Sequence, residues 1–418
     1  MTVAIDVRAR YSQARAEVLR QGSQLAAMPI GAYRTGSLLL RGSPWVGRFV
    51  AGWLSAEFSP RVVTGHALSG VTPLSVGRVA TGWAAQRADQ ILTAALQDSL
   101  GPDYREQACH PIERAACSGR VGFLQAAGHR RRYAAQTSDI IYGPDVRDNV
   151  LDIWRHGDVK AGHRAPVVLQ IPGGAWAVNG RRPQAYPLMG RLVEQGWMCV
   201  SIDYSKSPRK SWPAHIIDVK RALAWVRENI ADYGGDPDFI AVTGGSAGGH
   251  LASLVALTAN DERLQPGFED ADTRVQAAAP YYGVYDLTDV EKMHEMMLPF
   301  LEHFVMQARY SEQPELFELA SPIRHVHRQA PPFFVLHGEN DSVIPSVQAQ
   351  AFCDALHDVG APTVCYAELP NAHHAFDLFA TVRSRFAADA VADFLGVVYG
   401  RHLRSRSTAL RKRANPAS

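Results

Sequence analysis

A chain of 418 residues, 46% hydrophobic and 20% charged, is long enough for one large α/β domain with an accessory region. Its formal net charge of +2 and scattered basic residues give no field that would select nucleic acid. The five cysteines are odd in number and partly set in apolar runs, which suits buried thiols better than a disulfide framework; only Cys109 and Cys117 are placed as a pair.

The N-terminus carries Asp6, Arg8, Arg10, Arg15 and Glu17 without a continuous apolar run, so no signal peptide is read there. No stretch reaches the length of a membrane span, and a cytoplasmic location is expected, with peripheral contact to membrane or cell envelope as the alternative. Residues 1–135 are rich in Ala, Gly, Arg and Trp. Apolar residues recur at helical spacing in Val46, Phe49, Val50, Trp53 and Leu54, and again in Ile91, Leu92, Ala95 and Leu96. The region reads as short helices packed on their own protein or acting as a cap. Gly119 to Arg132 lacks periodicity and marks a boundary.

Residues 136–400 alternate strand and helix signals. Strands are predicted at Val150 to Trp154, Val167 to Ile171, Met198 to Tyr204, Phe239 to Thr243, Val275 to Ala279, Phe333 to Leu336 and Thr363 to Glu368. Several are continuous apolar runs, as strands buried on both faces of a parallel sheet require. Ile216, Val219, Leu223, Val226 and Ile230 form one stripe at helical spacing. Residues 286–327 carry Met293, Met296, Met297, Leu298, Phe300, Leu301, Phe304, Val305 and Met306, fit either to line an acyl pocket or to fill core. The basic tail, residues 401–418, holds few apolar residues and is expected to be disordered.

The chemistry gathers at Gly244-Gly245-Ser246-Ala247-Gly248, between a predicted strand and an Ala-rich helix. A G-x-S-x-G turn in that setting reads as a nucleophile elbow with Ser246 at its tip, and the Ala247 N–H opens the helix beside it. Upstream, Pro172-Gly173-Gly174-Ala175-Trp176 follows a strand; its small residues bare backbone N–H groups, with Gly174 and Ala175 the candidate oxyanion donors and Gly173 part of the same substrate-binding loop. Downstream, Asp341, with Glu339 behind it, follows the strand ending at Leu336. His373 and His374 follow the last strand, and one of the two is the candidate base.

Together these stretches resemble the hormone-sensitive-lipase-like branch of the α/β-hydrolase fold, and within it the esterases common in mycobacteria and related actinobacteria. The resemblance covers Ser138 to Gly400 and includes Asp203-Tyr204, Trp212-Pro213-Ala214 and Gly234-Gly235-Asp236-Pro237. It implies an α/β-hydrolase fold: an eight-stranded, mostly parallel sheet flanked by helices, with a helical N-terminal region and a cap that includes residues 286–327. It further implies a carboxylesterase or lipase acting on small ester or lipid substrates, with Ser246, Asp341 and His374 as triad and no metal or cofactor. Short- to medium-chain esters are the expected substrates. An amidase, formamidase or acyltransferase would share the first half-reaction. Pro172 stands where the branch usually has His, removing a side-chain anchor and a backbone N–H; this favours a catalytically silent binding protein of the same fold.

Two further signals are discounted. His294-Glu295-Met296-Met297-Leu298 lacks the second histidine of the zinc motif, and Asn340-Asp341-Ser342 matches a glycosylation pattern where a glycan would obstruct the acid loop.

Overall fold

The computed structural model describes residues 73–112, 132–134, 137–178, 180–182, 184–288, 297–378 and 381–414. The helical stripe at Val46 to Leu54, Cys117, Met293 and Met296 lie outside them, as does most of the boundary read at Gly119 to Arg132.

The apolar runs fold as strands of one sheet. In chain order they are β1 (Ile140–Ile141), β2 (Val150–Trp154), β3 (Ala165–Ile171), β4 (Met198–Ile202), β5 (Gly235–Gly245), β6 (Ala277–Tyr281), β7 (Phe333–Gly338) and β8 (Val364–Leu369). Their spatial order is β1-β2-β4-β3-β5-β6-β7-β8. The β1–β2 and β2–β4 pairs are antiparallel and the rest are parallel. The eighth strand, β1, is two residues long and carries no periodicity for sequence reasoning to detect. Successive side chains alternate faces, so Val167, Leu169 and Ile171 enter one core while Val168 enters the other; Ile240 and Val242 part in the same way from Phe239 and Ala241. A strand with no polar face reads as an unbroken apolar run.

Helices cover both faces: α1 (Pro73–Leu100), α2 (Tyr104–Gln107), α3 (Tyr186–Glu194), α4 (Ala214–Asn229), α5 (Ala247–Leu257), α6 (Met297–Phe300), α7 (Pro314–Leu319), α8 (Val347–Asp358) and α9 (Val382–Ala414). The stripe of α4 lies fully in the first core, where Ile216, Val219, Leu223 and Val226, with Ile230 just beyond, are all buried. Each such side chain contributes about 1.5–3 kcal/mol. Residues of α5, α8 and the 297–320 segment share that core, whereas α1, α3 and α9 supply the opposite one. Within residues 297–306 Leu301, Val305 and Met306 are core residues, while Met297, Leu298, Phe300 and Phe304 are half-buried against them. No helix among the described residues is long and apolar enough to cross a membrane.

One expectation is corrected. The tail predicted to be disordered from residue 401 is helical to Ala414, as the last turns of the 33-residue α9. Extending a helix already formed adds one hydrogen bond per residue fixed. The extension is also anchored: Leu403 packs on the core, the His402 and Phe239 rings lie 5.2 Å apart, and Arg406 approaches Asp236 at 3.4 Å and Asp238 at 3.6 Å. Truncation after Gly400 is therefore expected to lower Tm by roughly 2–6 °C while leaving kcat on soluble esters unchanged. Thermal melts and initial rates on the truncated chain check both halves.

Candidate active site

The loops singled out in the sequence all leave the C-terminal ends of parallel strands, the edge where open α/β sheets bind ligands. Ser246 follows β5, the Pro172 to Trp176 loop follows the adjacent β3, Asp341 follows β7 and His374 follows its neighbour β8. The strand between the two pairs, β6, ends in Tyr281 and bridges them.

Ser246 sits at φ 57° and ψ −122°, a conformation that a residue with a Cβ rarely adopts. Its N–H donates to Tyr281 O at 3.0 Å, and its carbonyl accepts from His250 N–H at 2.9 Å as α5 begins. The turn closes this tightly because its neighbours are small. A Cβ on Gly173 would overlap Gly245 O and lie 3.3 Å from Ser246 Cβ, and one on Gly245 would lie 2.6 Å from the Tyr282 hydroxyl. Ala247 is the first residue of α5, so its N–H belongs to the turn that has no intrahelical acceptor.

The histidine is held from two sides. His374 Nδ1 lies 2.7 Å from Asp341 Oδ2, and the ring of Tyr282 packs on the imidazole with centroids 4.7 Å apart. The Tyr282 hydroxyl in turn donates to the Asp377 carboxylate. Both His374 and Asp341 are buried. Asp341 Oδ1 accepts the N–H groups of Val343 at 2.9 Å and Ile344 at 2.8 Å. His337 Nε2 lies 3.3 Å from Asp341 Oδ2 and 2.9 Å from Ile344 O. Burial alone would raise the Asp341 pKa; the imidazoles of His374 and His337 overcome it and hold the carboxyl well below the usual carboxylate range. Glu339, the other acid considered, is exposed and accepts the Asn371 N–H at 2.9 Å. His373 is half-buried, and burial lowers its pKa.

The loop after β3 has other supports where the resemblance led one to expect a histidine. Pro172 O accepts from the Tyr204 hydroxyl at 2.8 Å. The Gln184 side chain clasps Gly173, accepting its N–H at 2.7 Å and donating to its carbonyl at 3.2 Å. The Gly173 N–H is thereby engaged, whereas those of Gly174 and Ala175 meet no acceptor among the described residues. Gln184 follows an anchored pair: Arg181 and Arg182 both reach the buried carboxylate of Asp152, through Nε at 2.9 Å in each case, and Arg181 also binds Asp203. Further along, Trp176 Nε1 donates to His250 Nδ1 at 3.2 Å, so the His250 proton sits on Nε2, facing Ala320 O at 2.6 Å. Burial lowers the His250 pKa to about 4, which keeps this relay neutral.

Sequence reasoning identified the loops and missed their supports. Trp176 closes one quoted motif and His250 lies two residues beyond another, so both were within reach. Gln184 stands eleven positions from Gly173 in a stretch with no spacing rule, and nothing in the sequence points to it. Replacing Gln184 by Ala is expected to lower kcat roughly ten- to a hundred-fold, because a slackened loop misplaces its N–H groups. An unchanged kcat in a variant with native circular dichroism would show that the loop holds its shape without the clasp.

A family model described as BD-FAE matches residues 151–356. The chain is 66% identical over 416 residues to the esterase LipQ of Mycobacterium tuberculosis, covering 99% of each. To LipM of the same organism, a probable carboxylic ester hydrolase, it is 53% identical over 351 residues, covering 83% of this chain and 78% of that one. Among solved structures, the butyrate-bound esterase Est2 of Thermogutta terrifontis shares the fold with a TM-score of 0.51 at 21% identity, over 65% of this chain and 94% of that chain.

Proposed function

Because the chain belongs to the α/β-hydrolase esterase family of LipQ and LipM and is a serine-hydrolase-type carboxylic ester hydrolase, we propose that Ser246, Asp341 and His374 carry out its reaction. The observation that weighs most is the 2.7 Å Asp341–His374 hydrogen bond on a loop that Tyr281 and Tyr282 tie to the Ser246 turn.

In this mechanism Ser246 Oγ attacks the ester carbonyl carbon as His374 Nε2 takes the hydroxyl proton. The ionised Asp341 fixes the tautomer that leaves Nε2 able to accept, and then stabilises the imidazolium. The carbonyl oxygen becomes an oxyanion facing the N–H groups of Gly174, Ala175 and Ala247, at the positive end of α5. Gly173 acts by letting the loop approach the turn. Collapse of the tetrahedral species breaks the ester C–O bond, and the His374 proton leaves with the alcohol. Water then repeats the sequence on the acyl-enzyme, with His374 as base, and returns Ser246 and the carboxylic acid. Labelling with a fluorophosphonate probe, mapped by mass spectrometry, tests the assignment: an adduct on Ser246 is expected, and an active enzyme whose adduct lies elsewhere would sink it.

The acyl group is read as short to medium in length. Leu301, Val305 and Met306 are committed to the core, which leaves Met297, Leu298, Phe300 and Phe304 among the half-buried apolar side chains of that segment. Rates on 4-nitrophenyl esters are expected to peak between butyrate and octanoate. Faster turnover of emulsified long-chain triglyceride than of butyrate ester would reverse this reading.

A further inference from the structure

A cleft of about 330 Å³ is lined by Arg147, Asp148, Ala177, Lys206, Ser207 and Arg209. One wall belongs to the loop after β3: Ala177 N–H donates to Gly174 O at 3.0 Å, and Ser207 N–H donates to Trp176 O at 2.8 Å. Ala177 is two residues beyond Ala175, so the cleft wall lies within about 7 Å of that proposed oxyanion donor along the chain.

The charges here are unbalanced. Asp148 is buried and is shared: one oxygen accepts from Arg209, and the other lies 3.5 Å from Lys206 Nζ. Asp145 lies 3.7 Å from Arg209 Nη1 and accepts the backbone N–H of Arg147 at 3.1 Å. Three cations, Arg147, Lys206 and Arg209, thus meet two carboxylates here, Asp145 and Asp148; Asp203 also acts on Lys206 through space but is itself held by Arg181. The Arg147 guanidinium makes no ion pair among the described residues, and Lys206 has only the long contact to an Asp148 already engaged by Arg209. Burial lowers the Lys206 pKa, with Arg147 and Arg181 adding to the effect and Asp203 and Asp145 opposing it.

We propose that the Arg147–Lys206 cleft binds an anionic group, a carboxylate or phosphate, carried by the ester substrate a few bonds from the scissile carbonyl. This rests on the esterase reading of Ser246 and extends it to substrate class: acidic esters are preferred over neutral esters of equal length. Arg147 presents a planar fork suited to either oxyanion, and Lys206 adds a point charge at the cleft wall. Asp148, paired with Arg209, lies beside Lys206, and Asp145 holds the Arg147 backbone N–H.

The test compares 4-nitrophenyl hexanoate with the 4-nitrophenyl monoester of adipic acid, which has the same acyl length and a terminal carboxylate. The hexanoate ester of 4-hydroxybenzoate places the charge on the leaving group instead. One of the two anionic esters is expected to exceed the neutral ester in kcat/KM by about ten-fold or more at low salt. That advantage is expected to shrink as salt rises, and to be lost in Arg147→Glu and Lys206→Gln while hexanoate turnover stays within about two-fold. Equal kcat/KM for all three esters in the native enzyme would overturn the proposal, as would variants that slow neutral and anionic esters alike. Calorimetric titration with adipate needs no turnover and separates the cleft from the triad: heat that Lys206→Gln abolishes supports the cleft, and none in the native protein overturns it, whatever Ser246 does.

Discussion

Ser246→Ala is expected to lower kcat on 4-nitrophenyl butyrate by on the order of 10⁴-fold or more, with Tm little changed. The size of the effect follows from the mechanism: without Oγ there is no acyl-enzyme, and what remains is water held near oriented N–H groups. The fold survives because the side chain is not in the core and the backbone of the turn is held by other atoms: Ser246 N–H on Tyr281 O, Ser246 O on His250 N–H, and Gly173 against Gly245. Alanine carries the same Cβ into the same left-handed conformation and adds no new strain. The measurement is kcat in a preparation checked for contaminating esterase. Retention of most activity would remove Ser246 from the mechanism.

The second large effect separates neighbours. His374→Ala is expected to lose nearly as much kcat as Ser246→Ala, and the double variant to be little worse than either, since triad members act as a unit. His373→Ala is expected to cost about ten-fold or less. The geometry gives the reason. His374 is buried, bonded to Asp341 and packed against the tilted ring of Tyr282, whereas His373 is half-buried one residue away. Full activity in His374→Ala with loss in His373→Ala would move the base by one residue.

The sheet was legible because its strands are buried on both faces: seven apolar runs became β2 to β8 with ends displaced by only a few residues. The stripe through Ile216 and Val226 was equally plain. Illegible features were those set by contact across the fold. β1 is two residues, too short for any period, and exists through its pairing with β2. The tail looked disordered because composition counts apolar residues, whereas Leu403 and Arg406 anchor it through partners far away in sequence. At the site, the order of serine, acid and histidine and their turn chemistry could be read directly. Asp341 was preferred to Glu339 from the sequence, and the structure supplies the physical reason: both sit in one loop and only Asp341 is buried. The effect of Pro172 could not be read either, because its remedy lies in Gln184 and Tyr204.

The packing of α1 has a consequence for how the protein is made. Its described apolar side chains, Ala88, Leu92, Leu96 and Leu100, are buried with β8 and α9 residues, and Ser99 Oγ donates to Val364 O at 3.0 Å across 265 positions. On the ribosome the helix emerges long before the surface it covers exists. At typical elongation rates the wait is on the order of ten seconds to a minute. Through that interval the leucine stripe faces water or a chaperone, and the cost of closing so long a loop is met only when β8 and α9 arrive. The docking of α1 is thus a late step of synthesis, and mutations in its stripe should reduce the yield of folded protein more than they alter the turnover of molecules that have folded.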